Sequence, residues 1–197
     1  MFSKARRILS IELRMGQYLL KWVFQRVSHR DDEYTYHKKS AAMALTFILI
    51  FVIPPSILLL GFILPWQWLT WVLGVAGTYA LYWVVGLYAS MVALPHRFDA
   101  TALVINYGVL ACGEIPYSII ESLTLSQEGL NQSGDGLTFD VDEPIAYVRV
   151  GSITTIKIEL KEPVTLQLWG KPTPEVNTIF INADRPDQLV ERFNAVQ

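Results

Sequence analysis

Two long apolar runs dominate the pattern of hydrophobic and polar positions along this 197-residue chain. Within residues 41–94, one run covers 41–64 and a second covers 66–94. No Lys, Arg, Asp or Glu occurs between Ser40 and His96. At about 1.5 Å per helical residue, each run is long enough to cross a hydrocarbon core of about 30 Å. The pattern predicts a hairpin of two transmembrane helices.

Prolines and small residues shape the predicted hairpin. Pro65 alone separates the two runs, and so short a connection makes the helices antiparallel neighbours. Pro54 and Pro55 remove two helix N–H groups from the first run, so a kink is expected there, either a tolerated bend or a hinge. The predicted helix-packing positions in the second run are Gly74, Gly77, Gly86 and Ser90. Their partner is the first helix or a second copy of the chain.

Basic residues around the hairpin predict its orientation. Lys38 and Lys39 precede the first run, and Arg97 follows the second. The uncharged turn between the runs carries three tryptophans, Trp66, Trp68 and Trp71. Tryptophan favours the headgroup level, and an excess of Lys/Arg favours the cytoplasmic side. We therefore expect a multi-pass protein of the cell membrane with both termini cytoplasmic.

Residues 1–40 form a region of their own, in which 4–28 mix apolar and basic positions at helical spacing. A basic amphipathic helix of this kind suits the lipid interface, with anionic lipids as its partner. The interface residues predicted here are Arg7, Arg14, Lys21 and Trp22, in addition to the lysines and tryptophans around the hairpin. The alternative is that this helix packs against the soluble domain or a partner helix. An acidic linker at 31–33 follows it and is predicted to be solvated.

From residue 97 onward the pattern changes to short runs that alternate with a period of two. Ile156, Ile158 and Leu160 alternate with polar neighbours, which is typical of a strand with one wet face. The predicted strands lie at 99–106, 109–115, 119–126, 145–150, 153–160, 164–169 and 178–182. Turns are predicted at 161–163 and 170–175, where Gly, Pro and charged residues cluster.

A helix is predicted to close the chain. Asp184 is its predicted N-cap, and Leu189, Val190 and Phe193 form an apolar stripe along it. That stripe must cover something apolar, most simply the open end of the preceding sheet. The predicted fold class is therefore α+β, with residues 97–197 as a soluble domain behind an amphipathic helix and a transmembrane hairpin.

The soluble region resembles the pleckstrin-homology fold, a sandwich or barrel of about seven strands capped by a carboxy-terminal helix. It is more specifically similar to bacterial pleckstrin-homology-like domains. The motifs that carry the similarity are Arg97-Phe98-Asp99, Leu103-Val104-Ile105, Gly108, Ile115-Pro116-Tyr117-Ser118-Ile119-Ile120 and the junction at 182–189. Bacterial members are often fused to two or more transmembrane helices. The resemblance implies a module for protein interaction or self-assembly, with accessory or resistance roles for some members.

Charge argues against headgroup binding by this domain itself. Phosphoinositide sites of the pleckstrin-homology fold need Lys/Arg in the loop between the first two strands. Here that loop is Asn106-Tyr107-Gly108, without a cation. Residues 96–197 hold seven Lys/Arg against fourteen Asp/Glu, whereas residues 1–40 hold nine against four. The front of the chain should favour anionic lipid, and the acidic back should avoid both lipid and nucleic acid.

An acidic segment at 127–142 is the clearest candidate for partner docking. It gathers five carboxylates, Glu128, Asp135, Asp140, Asp142 and, just after it, Glu143. Their spacing does not match a calcium loop, which needs oxygen ligands at defined offsets around a turn glycine. A mobile hairpin loop is favoured over a cation-binding site. The same loop is also a candidate docking surface for a protein partner.

No catalytic motif is recognisable in the chain. The single cysteine, Cys112, falls in a predicted strand, where a buried or half-buried position is expected. His29, His37 and His96 lie near the hairpin, where a polar juxtamembrane role suffices. We therefore expect no enzyme activity, no metal and no cofactor.

The sequence leaves three candidate functions for the protein. The first is a non-catalytic, membrane-anchored interaction or oligomerisation module that acts as an accessory or scaffold at the cytoplasmic membrane face. The second is a subunit of an oligomeric transporter or channel. The third is an immunity or stress-resistance protein that intercepts membrane-active peptides. The absence of ionisable side chains other than tyrosine from the apolar runs gives little support to a proton or ion pathway.

Overall fold

The computed structural model of the chain describes residues 2–25, 32–38, 41–126, 135–140, 142–151 and 153–195. Within them the fold is α+β, with four α-helices and one large, mostly antiparallel sheet. The helices are α1 (Phe2–Phe24), α2 (Ala41–Ile63), α3 (Gln67–Ala93) and α4 (Pro186–Asn194). The predicted α+β class is confirmed.

Helices α2 and α3 form the apolar hairpin. Both are long and apolar enough to cross a membrane, with candidate spans at Thr46–Ile63 and Gln67–Ala93. Pro54 and Pro55 lie inside α2, and the helix continues through both. Ser56, directly after them, donates its hydroxyl to the Val52 carbonyl at 2.7 Å, so a side chain occupies one backbone acceptor in this turn.

Nine strands form the sheet in the described residues. They are β1 (Glu33–Tyr34), β2 (His96–Phe98), β3 (Ala102–Tyr107), β4 (Ala111–Pro116), β5 (Ile120–Leu125), β6 (Gly136–Phe139), β7 (Ile145–Arg149), β8 (Ile156–Leu168) and β9 (Lys171–Ile181). Their order is β1-β2-β3-β4-β8-β9-β7-β6, and β5 pairs with β8 beside β4. All these pairs are antiparallel except β7 with β9, which is parallel.

The turn predicted at 161–163 is wrong, because β8 runs through it as one 13-residue strand. Pro163 falls where the register with β9 shifts, between Glu159 and Val164. The neighbour on the other side changes there too, from β5 to β4. A proline without an N–H is tolerated at such an interruption of the ladder.

The loop predicted at 170–175 is also wrong, since these residues belong mainly to β9. The turn from β8 to β9 consists of Trp169 and Gly170, with φ angles of 54° and 65°. Two successive positive φ angles are typical of a tight type I′ hairpin turn. Tryptophan seldom adopts such a backbone conformation, so its surroundings must hold it.

Part of the predicted acidic loop is a strand as well. Gly136–Phe139 forms β6 and pairs with β7, from Gly136 opposite Arg149 to Phe139 opposite Ala146. Residues 127–134 of that loop lie outside the described residues. Two further short strands, β1 and β2, were not predicted, because neither run is long enough to show a period of two.

The core of the domain lies between the curved sheet and α4. Leu189 and Phe193 of α4 are buried, as the predicted apolar stripe requires. The N-cap position belongs to Arg185 rather than Asp184. The Asp184 carboxylate instead accepts the backbone N–H of Lys38 at 3.2 Å, and so holds the segment that precedes the hairpin.

Candidate functional site at the junction of helices and sheet

Small residues in α3 face two different partners. Gly74 and Gly77 face α2, because a Cβ built on either would lie 3.5 Å and 3.0 Å from the Ile57 side chain. Gly74 also lines an open groove of about 800 Å³ between the two helices. Gly86 and Ser90 lie more than two turns further along α3. They face α1 and the sheet instead.

The last turns of α3 are built into the sheet domain. The segment from Val85 to Val92 is buried except at Leu87. Ser90 accepts the backbone N–H of Val109 with its hydroxyl at 3.2 Å. Gly108, in the same β3–β4 turn, has φ 50°, and a Cβ there would collide with the Ser90 hydroxyl. The run predicted at 66–94 is thus one helix with two environments.

Helix α1 packs along this inner part of α3. Met15 is fully buried, and its side chain lies 3.1 Å from the position of a Cβ built on Gly86. Tyr82 donates its hydroxyl to the Glu12 carbonyl oxygen at 2.5 Å, and the Tyr79 hydroxyl bonds the Glu12 carboxylate. The absence of a side chain at Gly86 is what allows the close approach.

A second apolar face of α1 has no protein partner in the described part of the chain. Its residues are Leu9, Leu13, Leu20 and Phe24, which are 54%, 61%, 59% and 79% exposed. Trp22 was predicted on the lipid-facing side, but its ring packs edge-on against Tyr88 at 5.8 Å. Trp22 therefore belongs to the contact with α3.

The cationic positions of α1 turn partly towards the sheet. The Arg7 side chain lies close to the β8–β9 turn, 3.8 Å from a Cβ built on Gly170. Arg14 lines a cleft between α1 and the strands. Lys21 is exposed, 5.6 Å above the ring of Tyr18. Lys38 is exposed beside the domain, and Lys39 lies outside the described residues.

The tryptophans divide into two groups. Trp66, Trp68 and Trp71 are exposed at the tip of the hairpin. Trp83, further along α3, instead packs against Trp169 at 5.9 Å. The Trp169 backbone N–H also donates to the Leu110 carbonyl at 2.7 Å, and these contacts hold the positive φ of Trp169.

A buried polar group, here called the junction cluster, joins the linker, α3 and the sheet. Its members are Tyr36, His96, Asn106 and Asn182. The His96 Nδ1 atom accepts the Asn106 N–H at 3.1 Å, so its proton is on Nε2, which donates to the Asn182 carbonyl at 3.0 Å. The Tyr36 ring stacks on His96 at 4.4 Å.

Tyr36 connects this cluster to α3. Its hydroxyl accepts the Gly108 N–H at 2.8 Å and donates to the Leu94 carbonyl at 3.1 Å. The Asn106 side chain donates to the Pro95 carbonyl at 2.8 Å. The end of α3 therefore has its polar groups satisfied by the domain, which fixes where the domain sits on the helix.

Burial sets the protonation of the cluster. Burial lowers the pKa of His96 from 6.5 to about 4, against the opposing effects of its bond to Asn182 and of Asp184. Burial likewise raises the pKa of Tyr36 well above its ordinary value. Both side chains are neutral near pH 7, which suits a structural hydrogen-bond network. The prediction that His96 is merely a polar juxtamembrane residue is wrong.

The predicted partner residues surround β6. Asp135 precedes this strand, and burial followed by the nearby Asp135 charge raises the pKa of Tyr107 to about 12. Asp140 follows it and accepts the N–H groups of Asp142 and Glu143 at 3.0 and 3.4 Å. Asp142 and Glu143 are exposed. The four carboxylates therefore sit at the ends of a strand at the edge of the sheet.

No group of three or more His, Cys, Asp or Glu side chains in the described ranges has the geometry of a metal site. Cys112 was predicted to be buried or half-buried, but its side chain is exposed on the outer face of β4. No protein-family model, curated protein or solved structure matches this chain.

The junction cluster was not predicted from the sequence. Tyr36 lies just after the acidic linker at 31–33, which was expected to be solvated. Asn106 and Asn182 stand at or next to strand ends, where polar residues usually indicate turns. A usable signal was present: Pro95 alone separates the apolar run from His96. That continuity implies a helix entering a strand, with its last carbonyls needing local partners.

Proposed function

We propose that this protein is a non-catalytic interaction module anchored in the cell membrane by the α2–α3 hairpin. The sheet domain binds a protein partner or a second copy of the chain at the cytoplasmic face. The observation that carries the proposal is the edge strand β6, which pairs with β7 alone among the described strands. An unpaired edge offers a row of backbone donors and acceptors to another strand.

The chemistry around β6 indicates the kind of partner. Asp142 and Glu143 are exposed, and Asp135 and Asp140 lie at the two ends of the strand. A partner segment rich in Lys or Arg would add favourable charge pairing to the strand ladder. The acidic edge equally discourages approach to anionic lipid, which favours a protein ligand.

The membrane placement rests on the hairpin and on α1. The exposed apolar stripe of α1 suits the acyl region, and anionic lipids suit its cations. Both α1 and the sheet lie at the end of the hairpin opposite Trp66, Trp68 and Trp71. The Lys/Arg distribution supports a cytoplasmic location for that end and for both termini.

A bacterial pleckstrin-homology-like fold remains the finer proposal for the domain. Support comes from the antiparallel β3–β4 hairpin and from α4, which buries Leu189 and Phe193 against the sheet. Two features depart from a simple meander of strands. The β7–β9 pair is parallel, and β5 pairs with β8 instead of with β4.

Site-specific photocrosslinking in intact membranes tests the proposed edge. A photoreactive residue at position 143 of the full-length chain should give a discrete adduct, whose mass distinguishes a second copy from another protein. The change Asp142→Asn should lower the yield, and raising salt from about 0.05 to about 0.5 M should lower it several-fold, because exposed charge pairs are screened.

Position 162 supplies the matched control. Glu162 is also an exposed acidic residue of the domain, but it lies in the middle of β8. We expect little adduct there. Equal yields at positions 143 and 162 would refute the β6 edge as the docking surface.

A further inference from the structure

A cleft of about 270 Å³ separates α1 from the sheet. It is lined by residues from five elements and the β8–β9 turn, among them Arg14, Arg97, Asn106, Cys112, Gln167 and Gly170. The α1 cleft, as we name it, lies where the amphipathic helix passes the outer face of β3, β4 and β8.

The floor of the α1 cleft is polar and firmly built. Asn106 lies opposite Cys112 in the β3–β4 pair, and Cys112 lies opposite Gln167 in the β4–β8 pair. Directly opposite residues in antiparallel strands point to the same face, so the three side chains form one row. Asn106 is also held by its bond to the Pro95 carbonyl. A ligand in the cleft would meet an amide, a thiol and a second amide in line.

The walls of the cleft are cationic. Arg14 is exposed and has no acidic partner among the described residues. Arg97 pairs with Asp99 at 2.9 Å, so its charge is partly compensated. Arg7 lies beside Gly170 at the rim, and Lys171 follows Gly170 with an exposed side chain. Three of these four cations therefore lack a carboxylate in the described contacts.

The location of the cleft relative to the membrane follows from a neighbouring side of α1, about a third of a turn around the helix from Arg14. Leu13 and Leu20 are exposed there, and on the proposed membrane placement they enter the acyl region. The cationic side of the same helix, with Arg7 and Arg14, then lies at the level of the headgroups. Because a helix is only about 10 Å across with its side chains, the cleft opens where lipid phosphates are found.

We propose that the α1 cleft binds a phosphate-bearing anion, with Arg14 as the main recognition residue and a lipid headgroup as its source. A guanidinium matches two phosphate oxygens with two parallel N–H donors, and the Gln167 amide adds a neutral donor. The inference rests on the proposed membrane placement, but it does not depend on the β6 edge. The β3–β4 turn contains no Lys or Arg, and α1 provides the cations of the proposed site instead.

Cys112 provides a reporter inside the cleft, because it is the single cysteine of the sequence. Full-length protein is reconstituted in phosphatidylcholine vesicles with or without about 30% phosphatidylglycerol, and the rate of alkylation by a neutral maleimide is measured. Anionic lipid should slow the wild-type reaction by about threefold or more, as expected for a charge-assisted site filled by headgroups. Inorganic phosphate added to neutral vesicles separates a soluble phosphate from a lipid as the source.

Arg6→Gln and Arg14→Gln form the matched pair of variants. Both positions are exposed on α1 and both variants lose one charge, but only Arg14 lines the cleft. An anionic surface also lowers the local pH and the thiolate fraction, and this effect is common to both variants. We expect Arg6→Gln to keep the lipid-dependent slowing and Arg14→Gln to lose it.

A second variant, Gln167→Glu, places a carboxylate on the cleft floor and should also abolish the slowing. Equal slowing in Arg6→Gln and Arg14→Gln would overturn the proposal, as would equal rates in neutral and anionic vesicles. Slowing by inorganic phosphate in neutral vesicles, lost in Arg14→Gln, would support the phosphate site and assign it to a soluble ligand. The crosslinking experiment at position 143 tests the β6 edge independently of the α1 cleft.

Discussion

Helix α2 and the last turns of α3 have a similar apolar character but opposite surroundings. In the window Thr46–Ile63 of α2 only 6% of the residues are buried, whereas the segment from Val85 to Val92 of α3 is almost entirely buried. The difference lies in the type of apolar residue. Large aliphatic side chains dominate α2, while Gly86, Ala89 and Ser90 let α1 and the sheet approach α3 closely.

Helix length explains why the two helices differ. With 27 residues, α3 extends for about 40 Å, more than a hydrocarbon core of about 30 Å requires. The surplus turns need another environment, and the domain supplies it. Hydropathy therefore identifies the hairpin. The small residues and tyrosines indicate which part of it is packed against other parts of the protein.

Replacing His96 with Phe should have the largest effect on this junction. Phenylalanine keeps an aromatic ring at this position, but the Asn106 N–H and the Asn182 carbonyl would lose their hydrogen-bond partner. Two unsatisfied buried groups should lower the free energy of unfolding by about 2–4 kcal/mol. Thermal unfolding in mild detergent measures the loss. An unchanged midpoint would mean that the junction cluster does not hold the domain on α3.

The same residue predicts a pH dependence. Unfolded His96 takes up a proton below its ordinary pKa of 6.5, whereas the buried ring stays neutral down to a pKa of about 4. Its contribution to stability is therefore fully present above pH 6.5 and is lost as the pH falls from 6.5 towards 4. The wild type should lose more stability than His96→Phe over that range. Parallel pH profiles would contradict the assignment.

A leucine at Gly86 should have an intermediate effect, and the same change at Gly74 a smaller one. At Gly86 the new side chain meets the buried Met15 and pushes α1 away from α3. At Gly74 it meets Ile57 at an ordinary contact distance beside an open groove. Overpacking should cost Gly86→Leu about 1–3 kcal/mol, and Gly74→Leu clearly less.

Protease sensitivity of α1 separates these two variants. Gly86→Leu should expose the basic residues of α1 to trypsin, because the helix has lost its packing partner, and Gly74→Leu should leave the cleavage rate near that of the wild type. Faster cleavage in both variants to the same extent would show that the two parts of α3 are not independent.

The smallest effect is expected at the tip of the hairpin. Trp68 is 67% exposed, and Trp68→Leu should change the unfolding free energy in detergent by less than about 0.5 kcal/mol. In vesicles the same variant should sit at a less sharply defined depth, as measured by quenching of the remaining tryptophans with brominated lipids. A loss of more than about 1 kcal/mol in detergent would indicate a protein contact at the tip.

The apolar hairpin was predictable because it depends on composition over many residues. Helix α2 begins and ends within one residue of the predicted run at 41–64. The strands of the domain were located from local alternation, and most of them appear near the expected positions. Where Pro163 breaks the pattern, the continuous β8 was missed, because a strand that changes neighbours tolerates a proline that a regular ladder would not.

The junction could not be predicted, because it joins residues far apart in the chain. Tyr36, His96 and Asn182 each look like ordinary polar or aromatic residues in their own segments. Their role exists only when the linker, the end of α3 and the end of β9 come together. The α1 cleft is hidden for the same reason, since Arg14 and Cys112 lie nearly a hundred positions apart.

Strand β1 imposes an order on how the protein can be made. Glu33 and Tyr34 pair with Arg97 and His96 across the entire hairpin, and Asp184 binds the Lys38 N–H from the other end of the chain. A ribosome therefore releases the first strand of the sheet long before its partners, because the whole apolar hairpin lies between them in the chain. The sheet can therefore close on β1 only after the whole hairpin and β2 have been synthesised.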